Sequence, residues 1–256
     1  MVAYPLRKKT RTDIFEYLKP DEVSMYYLRK SEDRGHIDHG WLDTYHSFSF
    51  GDYYDPKHMG FRALRVINED TVAGGIGFPM HGHRDMEIIT YVTDGALEHQ
   101  DTLGTYSVIE PGEVQRMSAG SGIRHSEMNA DESTPVHLLQ IWIMTEKEGL
   151  PPSYDQVSFK KKIGKEKFFM IASKEGAEDA VSMNQDVKIY RGAYDLGEGM
   201  IFDIPDNRHA WIQIVKGKVQ VNDQVLSKGD GLGVSQISKL EIKALEDAEF
   251  LVFDLP

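Results

Sequence analysis

The stretch HGHRDMEIITYV, His81 to Val92, carries two patterns end to end. Its second part, Met86–Val92 (MEIITYV), is a short apolar, β-branched run of the length and composition of a strand. Runs of the same kind recur at Arg62–Asn68 (RALRVIN), Val136–Met144 (VHLLQIWIM), Lys167–Ser173 (KFFMIAS) and Trp211–Val221 (WIQIVKGKVQV), with Gly, Asp, Asn and Pro between them. Few segments hold a helical period, and the helical candidates are short, Thr12–Leu18 and Gly176–Ala180. The spacing predicts an all-β protein of sandwich or barrel type. The charged, Pro-containing segment Thr145–Gln156 (TEKEGLPPSYDQ) separates two strand-rich halves, which places a boundary between an N-terminal domain, residues 1–145, and a C-terminal domain, residues 146–256.

Bulk composition narrows the functional classes. A chain of 256 residues with 40% hydrophobic content has room for two modest cores. A formal charge of −12 argues against nucleic acid or an anionic membrane as partner, because both demand clustered Lys and Arg. With no cysteine, any metal must be held by nitrogen and oxygen. No apolar run near the N-terminus has signal-peptide length and none later could span a bilayer, so a cytoplasmic location is expected.

The first part of the opening stretch carries the chemistry. Residues i and i+2 of a strand share a face, so His81 and His83 project together with only Gly82 between them. In SAGSGIRHSEMN, Ser118 to Asn129, His125 and Glu127 do the same, and Asn129 continues that face. Two such pairs meeting across a barrel present three imidazoles and one carboxylate to a point, a set suited to iron, manganese, nickel, copper or zinc. An isolated H-x-H is often no more than two hydrogen-bonded histidines. Here Gly75, Glu87 and the PGE turn Pro111–Glu113 accompany it, and together they favour a metal site. Glu87 also shares the face of His81 and His83 if the strand runs straight, so parity leaves two candidate carboxylates. His36, His39, His46, His58 and His99 read as structural hydrogen-bonding residues, and His137 as core-facing or at an edge. Phe48, Phe50, Phe78, Met117 and Ile123 lie near the motif strands and are candidates either for a pocket lining or for plain core.

The pattern G-x5-H-x-H-x3-E (Gly75, His81, His83, Glu87) resembles the first cupin motif, and PG followed by H-x3-N (Pro111, Gly112, His125, Asn129) resembles the second. More specifically the chain resembles the pirin family, in particular bacterial pirin-like proteins with quercetinase activity. The stretches that carry this are Arg34–Pro56, Gly60–Asp70, His81–Val92, Glu98–Gly104 (EHQDTLG), Met117–Asn129 and the terminal FLVFDLP, Phe250–Pro256. The first twenty or so residues fall outside the match. The resemblance implies a bicupin of two stacked antiparallel β-barrels of jelly-roll type, with metal only in the first. It assigns the ligands to His81, His83, His125 and Glu127, leaves Glu87 unliganded, and makes Glu127 a general base as well. It also implies one divalent metal per chain, Fe(II) in the first place, with Zn, Ni, Mn, Co and Cu as substitutes. The implied reaction is O2-dependent cleavage of a flavonol such as quercetin with release of CO. A second class stays open beside it, a non-catalytic iron-binding regulatory protein that senses redox state and binds a transcription factor or metabolic enzyme. The second half carries a single histidine, His209, which agrees with its being metal-free.

Overall fold

The apolar runs are apolar on both sides of the strand because both sides are buried. In Met86–Asp94, Ile89 and Tyr91 enter one core while Ile88 and Val92 enter two others behind it. In Ala248–Leu255, Leu251 and Phe253 point one way and Phe250 and Val252 the other. Two-sided burial explains why neither run shows the polar alternation of a solvent-facing strand. Each Leu, Ile or Phe so enclosed contributes about 1.5–3 kcal/mol.

The computed structural model describes residues 25–256, so the helical candidate Thr12–Leu18 lies outside the described residues. The described chain has four sheets in two similar halves. The large sheet of the first half runs, in spatial order, Ser153–Ser158, Glu113–Ser118, Met86–Asp94, Val136–Met144, Leu64–Val72, Leu42–His46, Gly35–Asp38. Its small sheet runs Gly77–His83, Ile123–Asn129, Leu97–Asp101, Tyr106–Ile109. The large sheet of the second half runs Tyr26–Arg29, Gly231–Val234, His209–Lys216, Ala248–Leu255, Lys188–Tyr194, Phe168–Ser173, Val181–Ser182. Its small sheet runs Gly199–Asp203, Lys239–Ala244, Lys218–Val221, Gln224–Ser227. Residues of both large sheets, among them Ile67, Ile141, Trp211 and Phe253, form one shared core, so the large sheets pack face to face with a small sheet on each outer side.

This is the expected all-β bicupin plan, with one correction: the sheets do not close into barrels. The ladder is interrupted where the chain passes from small to large sheet, as at Arg84–Asp85, where Asp85 takes the left-handed φ of 51°. One strand pair, Phe168–Ser173 with Val181–Ser182, is parallel. Among the described residues the helical content is two single 3-10 turns, Ser31–Asp33 and Ala177–Asp179, the latter within the candidate Gly176–Ala180. No described helix is long and apolar enough to cross a membrane.

The halves exchange edge strands. Tyr26–Arg29 pairs with Gly231–Val234, while Ser153–Ser158 pairs with Glu113–Ser118. A cut between residues 145 and 146 therefore leaves each half one strand in the other's large sheet.

Candidate metal centre

The small sheet of the first half positions the histidines. His81 lies directly opposite His125 in the antiparallel pair Gly77–His83 and Ile123–Asn129, and His83 lies opposite Ile123. Further along, the register slips so that Glu127 faces Phe78, a bulge that takes up Pro79, which has no N–H to give the ladder. The other neighbour of Ile123–Asn129 is Leu97–Asp101, with Asp101 opposite His125 and His99 opposite Glu127. The turn before His125 depends on Gly120, whose φ is 44° and whose missing Cβ would lie 2.0 Å from the carbonyl oxygen of Leu150.

The ligand atoms of His81, His83 and His125 lie within 4.8 Å of one another. Nε2 of His125 is 3.1 Å from Nε2 of His81, while Nδ1 of His81 donates to the carbonyl of Pro79 at 2.9 Å. That second bond places the His81 proton on Nδ1 and turns its Nε2 lone pair inward. Nε2 of His83 is buried and has no hydrogen-bond partner. Three inward-facing nitrogens, one of them orphaned, fit a divalent cation better than they fit one another. Burial, then the neighbouring His125 and His81, lowers the pKa of His83 to about 3; burial, then His81 and His99, lowers that of His125 to about 3. Both rings are therefore neutral near pH 7, the form that ligates metal.

The two candidate carboxylates lie on opposite sides of the large sheet. The change of direction at Asp85 sends Glu87 away from the histidines and into the seam between the halves. There, fully buried, it accepts bonds from Ser118 Oγ at 2.6 Å and from the backbone and side-chain nitrogens of Asn184 at 3.2 and 3.3 Å, with Arg116 Nε 3.8 Å away. Glu127 faces the other way, and its ligand oxygen lies within 4.8 Å of ligand nitrogens of His99 and His125. Gln140 Nε2 donates to both oxygens of Glu127 at 3.0 Å, and Thr90 Oγ donates to Oε1 at 3.3 Å. Gln140 and Thr90 are cross-strand neighbours in the large sheet, so this clamp is set by its register.

The remaining histidines divide. His46 bonds Asn68 at 2.8 Å, His36 bonds Asp43 at 2.6 Å, His58 bonds Tyr27, and His137 bonds Glu69 at 3.0 Å, all outside the cluster. His99, read from sequence as structural, lies fully buried against His125. Asn129 does not join the cluster: its amide nitrogen donates to the carbonyls of Val72, Ala73 and Thr134, which ties down the loop that follows. Gln140, Thr90 and Trp142 escaped the sequence reading, although a glutamine inside the apolar run VHLLQIWIM is a visible irregularity.

Among the candidate lining residues, Ile123 borders an open cleft of about 440 Å³ together with His83, Arg84, Thr102 and Arg124. Phe50 and Phe78 border a cavity of about 120 Å³ with Thr44, Asp70 and Asn68. Phe48 and Met117 are fully buried in separate apolar cores and line neither space.

With this geometry established, known proteins supply a context. The family model described as Pirin matches residues 27–143, and that described as quercetinase C-terminal cupin domain matches residues 170–255. A quercetin 2,3-dioxygenase from Escherichia coli (strain K12) is 47% identical over 232 residues, 91% of this chain and 99% of that protein. A pirin-like protein from Caulobacter vibrioides is 42% identical over 228 residues, 88% of this chain and 98% of that one. The crystal structure of the bacterial pirin YhhW from Escherichia coli in complex with nickel(II) superimposes with a TM-score of 0.87 at 46% identity, covering 91% of this chain and 99% of the other.

Proposed function

Because this chain belongs to the pirin family, we propose that it is a metal-dependent dioxygenase that cleaves flavonols such as quercetin with O2 and releases CO. The observation that carries the reading is the convergence of three imidazoles, one of which, His83, has an orphaned nitrogen and borders an open cleft. His81, His83, His125 and Glu127 hold one divalent metal, and we assign Fe(II) to it. The nickel complex of a 46%-identical pirin supports a first-row ion in this frame. When bound, the metal supplies Lewis acidity toward the flavonol hydroxyl and unpaired electrons toward O2.

The rest is done by the chain. Glu127 accepts the flavonol hydroxyl proton on a carboxylate oxygen, and the Gln140–Thr90 clamp keeps that carboxylate aimed at the imidazoles. Trp142 stands edge-on to His83 with ring centroids 5.0 Å apart and shields that ligand from water. Arg84 and Arg124 put positive charge at the cleft, which favours the anion left when Glu127 takes the flavonol proton. Among the described residues the second half brings no three metal-ligating side chains together, and it closes the seam beneath the site.

Protein loaded anaerobically with Fe(II) is then mixed with quercetin in air, and loss of the flavonol absorption band is followed together with CO. Turnover no faster than that of free iron would sink the proposal. Glu127→Gln should lower turnover by about 100-fold, whereas Glu87→Gln should retain it.

A further inference from the structure

We propose that His99 and Asp101 form a buried hydrogen-bond relay that orients the imidazole of His125 and sets how tightly the centre holds its metal. The inference rests on the metal-site reading above. Strand alternation brings the three residues together, since His99 and Asp101 share the inward face of Leu97–Asp101 and lie opposite Glu127 and His125. His99 is fully buried and Asp101 is 6% exposed.

Partner chemistry fixes the direction of every bond. Oδ1 of Asp101 accepts the backbone N–H groups of Leu103 at 2.8 Å and Thr105 at 3.1 Å. Oδ2 is left to face Nε2 of His99 at 3.1 Å. A carboxylate only accepts, so His99 carries a proton on Nε2, and as a neutral ring it presents a lone pair on Nδ1. That lone pair faces Nδ1 of His125 at 3.5 Å. His125 turns its Nε2 toward His81, so a neutral ring that ligates through Nε2 must be protonated at Nδ1. The chain therefore runs one way only, from His125 Nδ1–H to His99 Nδ1 and from His99 Nε2–H to Asp101. The first contact is long for a hydrogen bond. Tyr154 lies against the His99 ring with centroids 4.8 Å apart, and its hydroxyl is engaged by Ser107 and Gln156, which fixes the ring plane. Such outer partners orient a ligating histidine and raise its basicity, and their loss typically lowers metal affinity by about 10- to 100-fold.

The same atoms allow one rival arrangement. Ligand atoms of His99, His125 and Glu127 lie within 4.8 Å of one another, so a second ion between the two rings would replace the hydrogen bond.

Zinc is the probe. Affinity by chelator competition, zinc per chain, and imidazole 15N spectra of the zinc-loaded protein are compared for wild type, Asp101→Asn, His99→Leu, His99→Gln and His81→Ala. Unfolding of each metal-free protein is followed alongside. Asp101→Asn is isosteric but turns an N–H donor toward His99 Nε2, which moves the His99 proton to Nδ1 and sets it against His125 Nδ1–H. It should lose about 10- to 100-fold in zinc affinity, as should His99→Leu. His99→Gln, which accepts from His125 and donates to Asp101, should stay near wild type. The spectra should show His99 protonated at Nε2 in wild type and at Nδ1 in Asp101→Asn, a change that a merely structural role would not produce. Wild-type affinity with an unmoved proton in Asp101→Asn overturns the relay, and two zinc ions per chain overturn it in favour of the rival. His81→Ala binding zinc as wild type does would instead overturn the metal-site reading itself.

Discussion

In the first half, the strand Ile123–Asn129 lies between Gly77–His83 and Leu97–Asp101. In the second half, Lys239–Ala244 lies in the same way between Gly199–Asp203 and Lys218–Val221. Inward positions of the first set carry His125, Glu127, His99 and Asp101; those of the second carry Leu240, Ile242, Val219 and Val221, all buried in one apolar cluster. A shared backbone plan thus accommodates either a polar centre or a closed core. What decides is whether each buried polar group finds a partner, since an unpartnered one costs several kcal/mol and a branched aliphatic costs nothing of the kind.

That contrast can be broken or sharpened in four ways. The largest effect is expected from His125→Leu, which makes the first sheet resemble the second: metal content should fall from one ion per chain to none by elemental analysis, and turnover with it. The reverse exchange, Ile242→His, buries a ring with no acceptor among Val219, Val221 and Leu240. It should cost about 3 kcal/mol in urea unfolding and recruit no metal. Glu87→Gln tests the seam rather than either small sheet. It removes the charge beside Arg116 and disturbs the bonds from Ser118 and Asn184, so stability should drop by about 1–3 kcal/mol while metal content holds. The smallest effect concerns pH. His83 and His125 titrate near 3 in the fold, chiefly through burial, against about 6.5 when unfolded, so the folded state binds fewer protons between those values. Their contribution is full above about pH 6.5 and is lost as pH falls through that window. Metal-free wild type should therefore lose about 2 kcal/mol more between pH 7 and pH 5 than the single variant His83→Leu.

Much of this was legible in residues 81–92 and 118–129, and the exceptions share a cause. The strands were readable because two-sided burial writes itself as continuous apolar runs such as VHLLQIWIM. The choice between Glu87 and Glu127 was not, because parity holds only along an unbroken strand and Asp85 breaks this one. His99 and Asp101 repeat the i, i+2 spacing of the other pairs, yet that spacing acquires meaning only from the cross-strand register to residues 125 and 127. Phe48 and Met117 lie near the motifs in sequence but enter separate cores, Phe48 from the bend after Leu42–His46 and Met117 from the strand Glu113–Ser118. In each case the missing information was which strands lie side by side, a property of the whole chain.

The exchanged edge strands set an order of events during synthesis. Tyr26–Arg29 finds its ladder only on Gly231–Val234, so it must wait unpaired until almost the entire polypeptide has left the ribosome. Closing so long a loop is entropically costly and slow. The large sheet of the first half needs nothing later than Ser153–Ser158 and has all its strands much earlier. The growing chain thus passes through a stage in which the first half is ready to fold while Tyr26–Arg29 still lacks the strand it joins. Through that interval the unpaired strand Tyr26–Arg29 is the place where a chaperone, or another copy of the chain, would first take hold.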